Sequence, residues 1–399
     1  MKKNICLLFF ILCASGMYAQ ITENDVQKYI AEQKGSIEQA RNAKDNKKLE
    51  EIHLAMIKTF ESYPEYIKKE ADSYIGSLYY DLACYQSRQS KKKKAVSSFA
   101  KAIEHKWINY SHASKDPDLD NIRNDKQFIS LMDKIRLECN FLYILKHGGD
   151  YINKIDSTLP KFTYLAPNDS NLVRIRNYFN LDSIAGSGNE ISKIKKLLYW
   201  AHNVVRHDGS SMNPDSKNAI DLVEICRKEN RGINCRMMAE MLNECYLAMG
   251  FKSRFVTCLP KTLVDDCHVI NVVYSNTLNK WIWMDPTFNA YVTDENGTML
   301  GIGEVRERLI NGTPLHLNDD ANWNNKQKQT KEYYLEYYMA KNLYRLQCVL
   351  KSDYSTETPM KGRPSPVYVS LDPSSTPESK TEQRRTTNNA EYFWQCPEN

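Results

Sequence analysis

Residues 230–256 read NRGINCRMMAEMLNECYLAMGFKSRFV, and the fold is decided here. Met238, Met241, Leu242, Cys245 and Met249 recur at helical spacing and line one apolar face. Gly250 ends that helix, and KSRFV continues as a strand. Ahead of the helix, Gly232 supplies a turn and Asn234 is a favourable N-cap. Cys235 is therefore predicted at the first helical position. There the helix dipole favours a thiolate, the nucleophilic form of cysteine. A structural cysteine sits more naturally deeper, as Cys245 does.

Working outward, residues 267–288, CHVINVVYSNTLNKWIWMDPTF, alternate as two strands around a polar turn. His268, Ile270, Val272 and Tyr274 share one face, and Trp281, Trp283 and Asp285 share a face of the return strand. A two- or four-residue loop centred on Asn276–Thr277 sets Tyr274 opposite Asn279 and His268 opposite Asp285. A six-residue loop shifts the register by two and makes His268 and Asp285 diagonal neighbours. Both registers keep the two side chains on one face. The hairpin thus offers a carboxylate to orient an imidazole, which in turn can hold a thiolate as an ion pair. Singly, each residue has an ordinary explanation: a structural cysteine, a core histidine, a turn-forming aspartate before Pro286. Their order and placement together point to a thiol site of Cys235, His268 and Asp285. The Cys235 N–H is a natural oxyanion donor. A second donor is expected upstream, where Trp200, Asn203 and His207 all stand near. Trp200 falls on the apolar face of its helix, which favours a structural role.

The segments GIN-Cys235, Cys267-His268-Val269 and W-I-W-M-Asp285-P-T-F resemble the transglutaminase-like superfamily. The helix IKKLLYWAHNVVRHDG before them adds to the likeness, which spans roughly residues 190–315. It implies an α+β, papain-like fold in which a helix carrying the cysteine packs on an antiparallel sheet. It also implies that Cys235 is the nucleophile, His268 the general base and acid, and Asp285 the orienting residue. Such a site does acyl chemistry on amides, and peptide or amide hydrolysis is expected over cross-linking. Cleavage of an N-linked glycan is a related amide-breaking option. The competing expectation is a secreted interaction protein with an inert thiol fold.

The remaining sequence sets the frame. The net charge of +5 over 399 residues is small and dispersed, so it gives no argument for nucleic acid. Lys2 and Lys3, the apolar run Ile5–Leu12 and the small residues Ala14, Ser15, Gly16 and Ala19 read as a secretory signal over residues 1–19. Leu12 before Cys13 disfavours a lipid anchor. An exported protein, periplasmic or extracellular, with no integral membrane segment is expected. Of 11 cysteines, Cys6 and Cys13 lie in the signal, leaving nine, an odd number that leaves a thiol over. Cys258–Cys267 and Cys226–Cys267 are alternative disulfides. No CxxC occurs, so neither a structural metal nor a cofactor is expected.

Residues 20–148 read as an α-helical domain. Tyr79, Leu82, Ala83, Ala95, Phe99 and Ala102 resemble one tetratricopeptide repeat, with departures at Gln86 and Trp107. Such a region can simply stabilise its neighbour or dock a protein partner. The Lys91–Lys94 run between the two helices reads as a solvated turn. Residues 149–350 form the thiol-bearing domain. Residues 351–399, rich in Ser, Thr, Pro and Lys, read as a disordered or extended tail, although EYFWQCPEN at its end breaks that composition.

Overall fold

The computed structural model describes residues 22–107, 109–152, 159–262, 267–373, 379–380 and 384–398. The proposed signal segment lies outside them. The chain divides into two compact units between Cys139 and Asn140, upstream of the boundary expected at 148. The reason is the helix Phe141–Lys146, whose Leu145 is buried in the core of the second unit.

The first unit consists of helices α1 (Glu23–Asn42), α2 (Asn46–Glu61), α3 (Glu65–Glu70), α4 (Asp72–Arg88), α5 (Lys92–Glu104), α6 (Tyr110–Lys115) and α7 (Lys126–Cys139). Thr22, Asp45 and Asn109 cap α1, α2 and α6 with their side chains. Helices α4 and α5 pack as their apolar spacing predicts, with Leu82, Ala83, Ala95, Phe99 and Ala102 buried. Gly76 permits the closeness, since a Cβ there would stand 2.6 Å from the carbonyl oxygen of His105. The two departures from the repeat pattern have their own partners. Trp107 stacks on Tyr80 with ring centroids 3.8 Å apart. Gln86 is buried, donates to Glu50 and accepts from Ser98. The lysine run is not a free turn throughout: Lys91 pairs with the buried Glu50 at 2.6 Å, while Lys92, Lys93 and Lys94 are exposed in the first turn of α5.

The second unit is α+β. Its helices are α8 (Phe141–Lys146), α9 (Ser170–Phe179), α10 (Leu181–Ala185), α11 (Glu190–Val204), α12 (Ala219–Glu229), α13 (Cys235–Ala248) and α14 (Ile302–Asn311). They surround a seven-stranded sheet of β1 (Ser253–Leu259), β2 (His268–Ser275), β3 (Lys280–Met284), β4 (Arg345–Val349), β5 (Tyr368–Leu371), β6 (Ser379–Lys380) and β7 (Arg384–Thr387). The spatial order is β6-β7-β5-β4-β1-β2-β3, antiparallel except for the pair β5 and β7. Alternation along β2 and β3 divides the core. Ile270, Val272 and Trp283 join one apolar cluster with α8 and α14, whereas Val273, Ile282 and Met284 join another with α9–α13.

The tail expected over 351–399 is instead part of this unit. Strands β5 and β7 extend the sheet, and residues 352–357 lace onto α13. Ser352 Oγ accepts from Asn243, and the N–H groups of Ser355 and Glu357 donate to the buried Glu244 and Glu240. The serines and threonines that made the composition read as disordered act here as strand residues and hydrogen-bond partners. Among its apolar residues, Val369, Leu371, Tyr392 and Phe393 are buried.

Candidate active site

Asn234 caps α13 as its sequence predicts, its side chain accepting the Met237 N–H at 3.1 Å. Cys235 is the first residue of that helix and is half-buried against Ala239, Phe255, Val269 and Val349. Gly232 serves differently from the turn expected of it. A Cβ there would stand 2.7 Å from the Arg206 carbonyl oxygen and 2.7 Å from Asp208 Cβ. Its absence lets residues 206–208 run alongside 232–233, with Ile233 N–H donating to Arg206 and Asp208 N–H to Ile233. That contact brings His207 to the start of α13.

The β2–β3 hairpin takes the diagonal register. Ser275 pairs with Lys280 and Tyr274 with Trp281, not with Asn279. The connecting loop is the four residues 276–279, centred one position later than expected, on Thr277–Leu278, and closed by Asn279 at φ 50°. Glu190, the first residue of α11, fixes it by accepting from Ser275 Oγ and from the N–H groups of Asn276 and Thr277. A shift of two positions preserves the face, so His268 and Asp285 still meet. Nε2 of His268 lies 2.7 Å from Asp285 Oδ2, with both side chains fully buried.

Asp285 is saturated with donors. Oδ1 accepts the N–H of Thr287 at 2.9 Å and of Phe288 at 3.3 Å. Oδ2 also accepts the hydroxyl of Tyr334 at 2.5 Å. Tyr334 in turn accepts the indole N–H of Trp283. It belongs to a π-helix, Glu332–Met339, of the kind that often marks functional sites. Tyr338 of the same helix and Phe288 pack against the His268 ring, with centroids 5.2 and 5.5 Å away. Nothing in the sequence near 332–339 points toward this site.

Cys235 accepts hydrogen bonds from the imidazoles of His207 and His268 and from the Val269 N–H. Because Nε2 of His268 faces Asp285, Nδ1 is the nitrogen that serves the thiol. Burial works against a thiolate here, but these three donors and the imidazolium charge outweigh it and draw Cys235 down to about 6. Burial likewise opposes charge on His268, yet the Asp285 carboxylate and the sulfur raise it to about 10. Other cysteines go the opposite way: burial pushes Cys139 and Cys348 up to about 11, and Cys245 and Cys258 well above their ordinary value. Iodoacetamide alkylation of Cys235 is therefore expected to titrate with a midpoint near 6, ahead of those four thiols. Peptide mapping after labelling across pH 4–10 reads this; a midpoint near the ordinary thiol value of 9.0 would contradict the ion pair.

Of the three upstream residues considered as donors, only His207 reaches the thiol. Trp200 packs edge-on against Phe179, and the Asn203 side chain bonds the Tyr199 carbonyl and Asn325. No disulfide joins the described cysteines. Cys258 and Cys226 sit in different apolar clusters. The described residues grouped closely enough for a metal are Cys84, Asp116 and Asp118, in the first unit. Tyr80, Arg88 and the Asp118 N–H already bind those carboxylates.

The stretch that carries Cys235, His268 and Asp285 is also one that sequence comparison matches to a known family. Residues 179–286 match the family model of the transglutaminase-like superfamily. The match ends just past Asp285 and contains Cys235 and His268. Among solved structures, a candidate cysteine protease from Cytophaga hutchinsonii aligns at 18% identity over 41% of this chain, with a TM-score of 0.24. The chain covers 61% of that protein, less than two-thirds of its length. No curated protein matches.

Proposed function

We propose that this chain is an exported thiol enzyme that breaks amide bonds, with Cys235 as nucleophile, His268 as base and acid, and Asp285 as the residue that orients His268. The observation that carries the reading is the convergence of two imidazoles and a backbone N–H on one helix-terminal sulfur, with Asp285 behind His268 at 2.7 Å. In the resting site the thiol proton resides on Nδ1 of His268. The thiolate attacks the amide carbonyl carbon, and the N–H of Cys235, unused by the helix at its first position, faces the developing oxyanion. Collapse breaks the C–N bond, and the imidazolium gives its proton to the leaving nitrogen. The thioester is then attacked by water, whose proton passes to His268, and collapse breaks the C–S bond, releasing the acid and restoring the thiolate–imidazolium pair.

Water is the favoured acyl acceptor because transfer to an amine needs a second site that admits the amine and excludes water. A peptide or protein is the proposed substrate, and the helical first unit is a proposed protein-docking module. Export rests on the basic and apolar start of the sequence. Among the described residues no helix is long and apolar enough to cross a membrane.

The test is activity-based profiling with an electrophilic peptide library. Wild type should be labelled at Cys235 with sequence preference, and Cys235→Ala should lose that labelling entirely. Equal labelling of the two proteins, or labelling without preference among peptides, would sink the reading.

A further inference from the structure

Two histidines reach the thiol, and the groups behind them are opposite in kind. Behind His268 stands a carboxylate, an acceptor, so Nε2 carries a proton and Nδ1 is left to receive one. Behind His207 stands the indole of Trp323, whose Nε1 lies 3.0 Å from His207 Nδ1. An indole nitrogen only donates. Nδ1 of His207 must therefore hold a lone pair, and its ring proton must sit on Nε2. Nδ1 is thus engaged by Trp323, which leaves Nε2–H for Cys235. A proton taken up at Nδ1 would set N–H against N–H. His207 is accordingly fitted to donate a hydrogen bond and unfitted to shuttle a proton.

The ring is also held rigidly. The His207 N–H donates to Asn324 Oδ1 at 2.7 Å, and Asn324 Nδ2 returns a bond to the His207 carbonyl at 2.9 Å. Asn324 and Asn325, both at left-handed φ, turn the short hairpin that carries Trp323. The buried His202 braces this hairpin, bonding Asn322 on one side and the carbonyl of Pro286, next to Asp285, on the other. On its other flank His207 is fixed by the pairing with Ile233 that Gly232 allows. A preorganised donor of this kind, next to the bond that forms, is what a developing negative charge requires.

We propose that His207 Nε2–H is the second oxyanion donor of the reaction assigned above, with Trp323 as the positioning residue that fixes its tautomer. The inference rests on that reading. In the resting site the N–H stabilises the thiolate. As sulfur attacks and charge passes to the carbonyl oxygen, the same N–H follows it, together with the N–H of Cys235.

Two reagents separate this role from mere thiolate stabilisation, because only one of them makes an oxyanion. Iodoacetamide alkylates sulfur by direct displacement. p-Nitrophenyl acetate acylates it through a tetrahedral intermediate, releasing nitrophenolate. Rates at Cys235 are compared in the full chain for wild type, His207→Ala, His207→Gln and Trp323→Phe. For His207→Ala, acylation is expected to fall about 10²–10³-fold, with a far smaller change in alkylation. His207→Gln retains an N–H donor and should recover part of the loss. Trp323→Phe leaves His207 in place but frees its tautomer, so acylation should fall to an intermediate level with alkylation preserved. Equal losses in the two reactions, or unchanged acylation in both His207→Gln and Trp323→Phe, overturn the assignment. A wild type that acylates no faster than Cys235→Ala overturns the thiol-enzyme reading itself. Far-UV circular dichroism identifies any variant that does not fold, and Trp323→Phe then decides the matter alone.

Discussion

Asp285→Asn is expected to lower turnover about 10⁴-fold, the loss seen when a triad histidine is held in the wrong tautomer, although the substitution is nearly isosteric. The cause lies in the four donors around the carboxylate. On Oδ1 the partners are the backbone N–H groups of Thr287 and Phe288, which cannot turn away. On Oδ2 they are His268 and the Tyr334 hydroxyl, which can rotate. An asparagine has one acceptor oxygen, and the two fixed N–H groups claim it. Its NH2 group is thereby directed at Nε2 of His268, which must then accept. The ring proton moves to Nδ1, and the nitrogen that serves the sulfur can no longer take its proton. The same inversion is readable without a substrate. Since His268 no longer becomes an imidazolium, the midpoint of Cys235 alkylation should climb from about 6 toward the ordinary 9.0. An unchanged midpoint in a folded Asp285→Asn protein would falsify the orienting role of the carboxylate.

The sign of the pH effect in wild type follows from the same pair. Cys235 is lowered, so its contribution to stability is present above its unfolded value of 9.0 and is lost as pH falls through about 6. His268 is raised, so its contribution is complete below 6.5 and is lost as pH rises through about 10. The ion pair therefore occupies the window between about 6 and about 10, and the activity profile should be a bell with those limbs. The limbs belong to the coupled pair rather than to either residue alone.

What the sequence made legible was local. Asn234, Cys235 and the helix behind them depend on capping and on a 3.6-residue period, both of which act within a turn or two. The faces of His268 and Asp285 depend on alternation alone, and survive a register that differs from the direct pairing. The register itself was set from a distance, by the Glu190 carboxylate seated in the hairpin turn. Tyr334 lies 49 residues along the chain from its partner Asp285 and Trp323 lies 116 from its partner His207, so their roles depend on tertiary contacts that no spacing encodes. Gly232 was visible as a glycine, but the neighbour that forbids a side chain there was not.

Phe393→Ala is expected to destabilise the second unit by about 3–5 kcal/mol, the usual range for emptying a buried phenylalanine site. For a unit of this size that lowers the unfolding midpoint by roughly 10 °C. Composition alone predicts the opposite, because a residue six positions from the end of a Ser/Thr/Pro-rich stretch should tolerate substitution within about 0.5 kcal/mol. The structure decides between them through Arg254. This arginine is fully buried on β1, and its guanidinium lies 4.4 Å from the Phe162 centroid and 4.3 Å from that of Trp281. Phe393 closes the same box: its carbonyl accepts from Arg254 Nη1 at 2.9 Å and its ring lies 5.6 Å from the guanidinium. Phe393 is itself fully buried, and Trp281 donates to the Gln395 carbonyl just beyond it. Removing the ring opens a cavity beside a cation that has aromatic faces and a backbone carbonyl for company, so the site loses packing and cation–π attraction together. Thermal unfolding of Phe393→Ala beside wild type measures the shift. A change of less than a degree or two would mean that Phe393 does not hold Arg254 in solution.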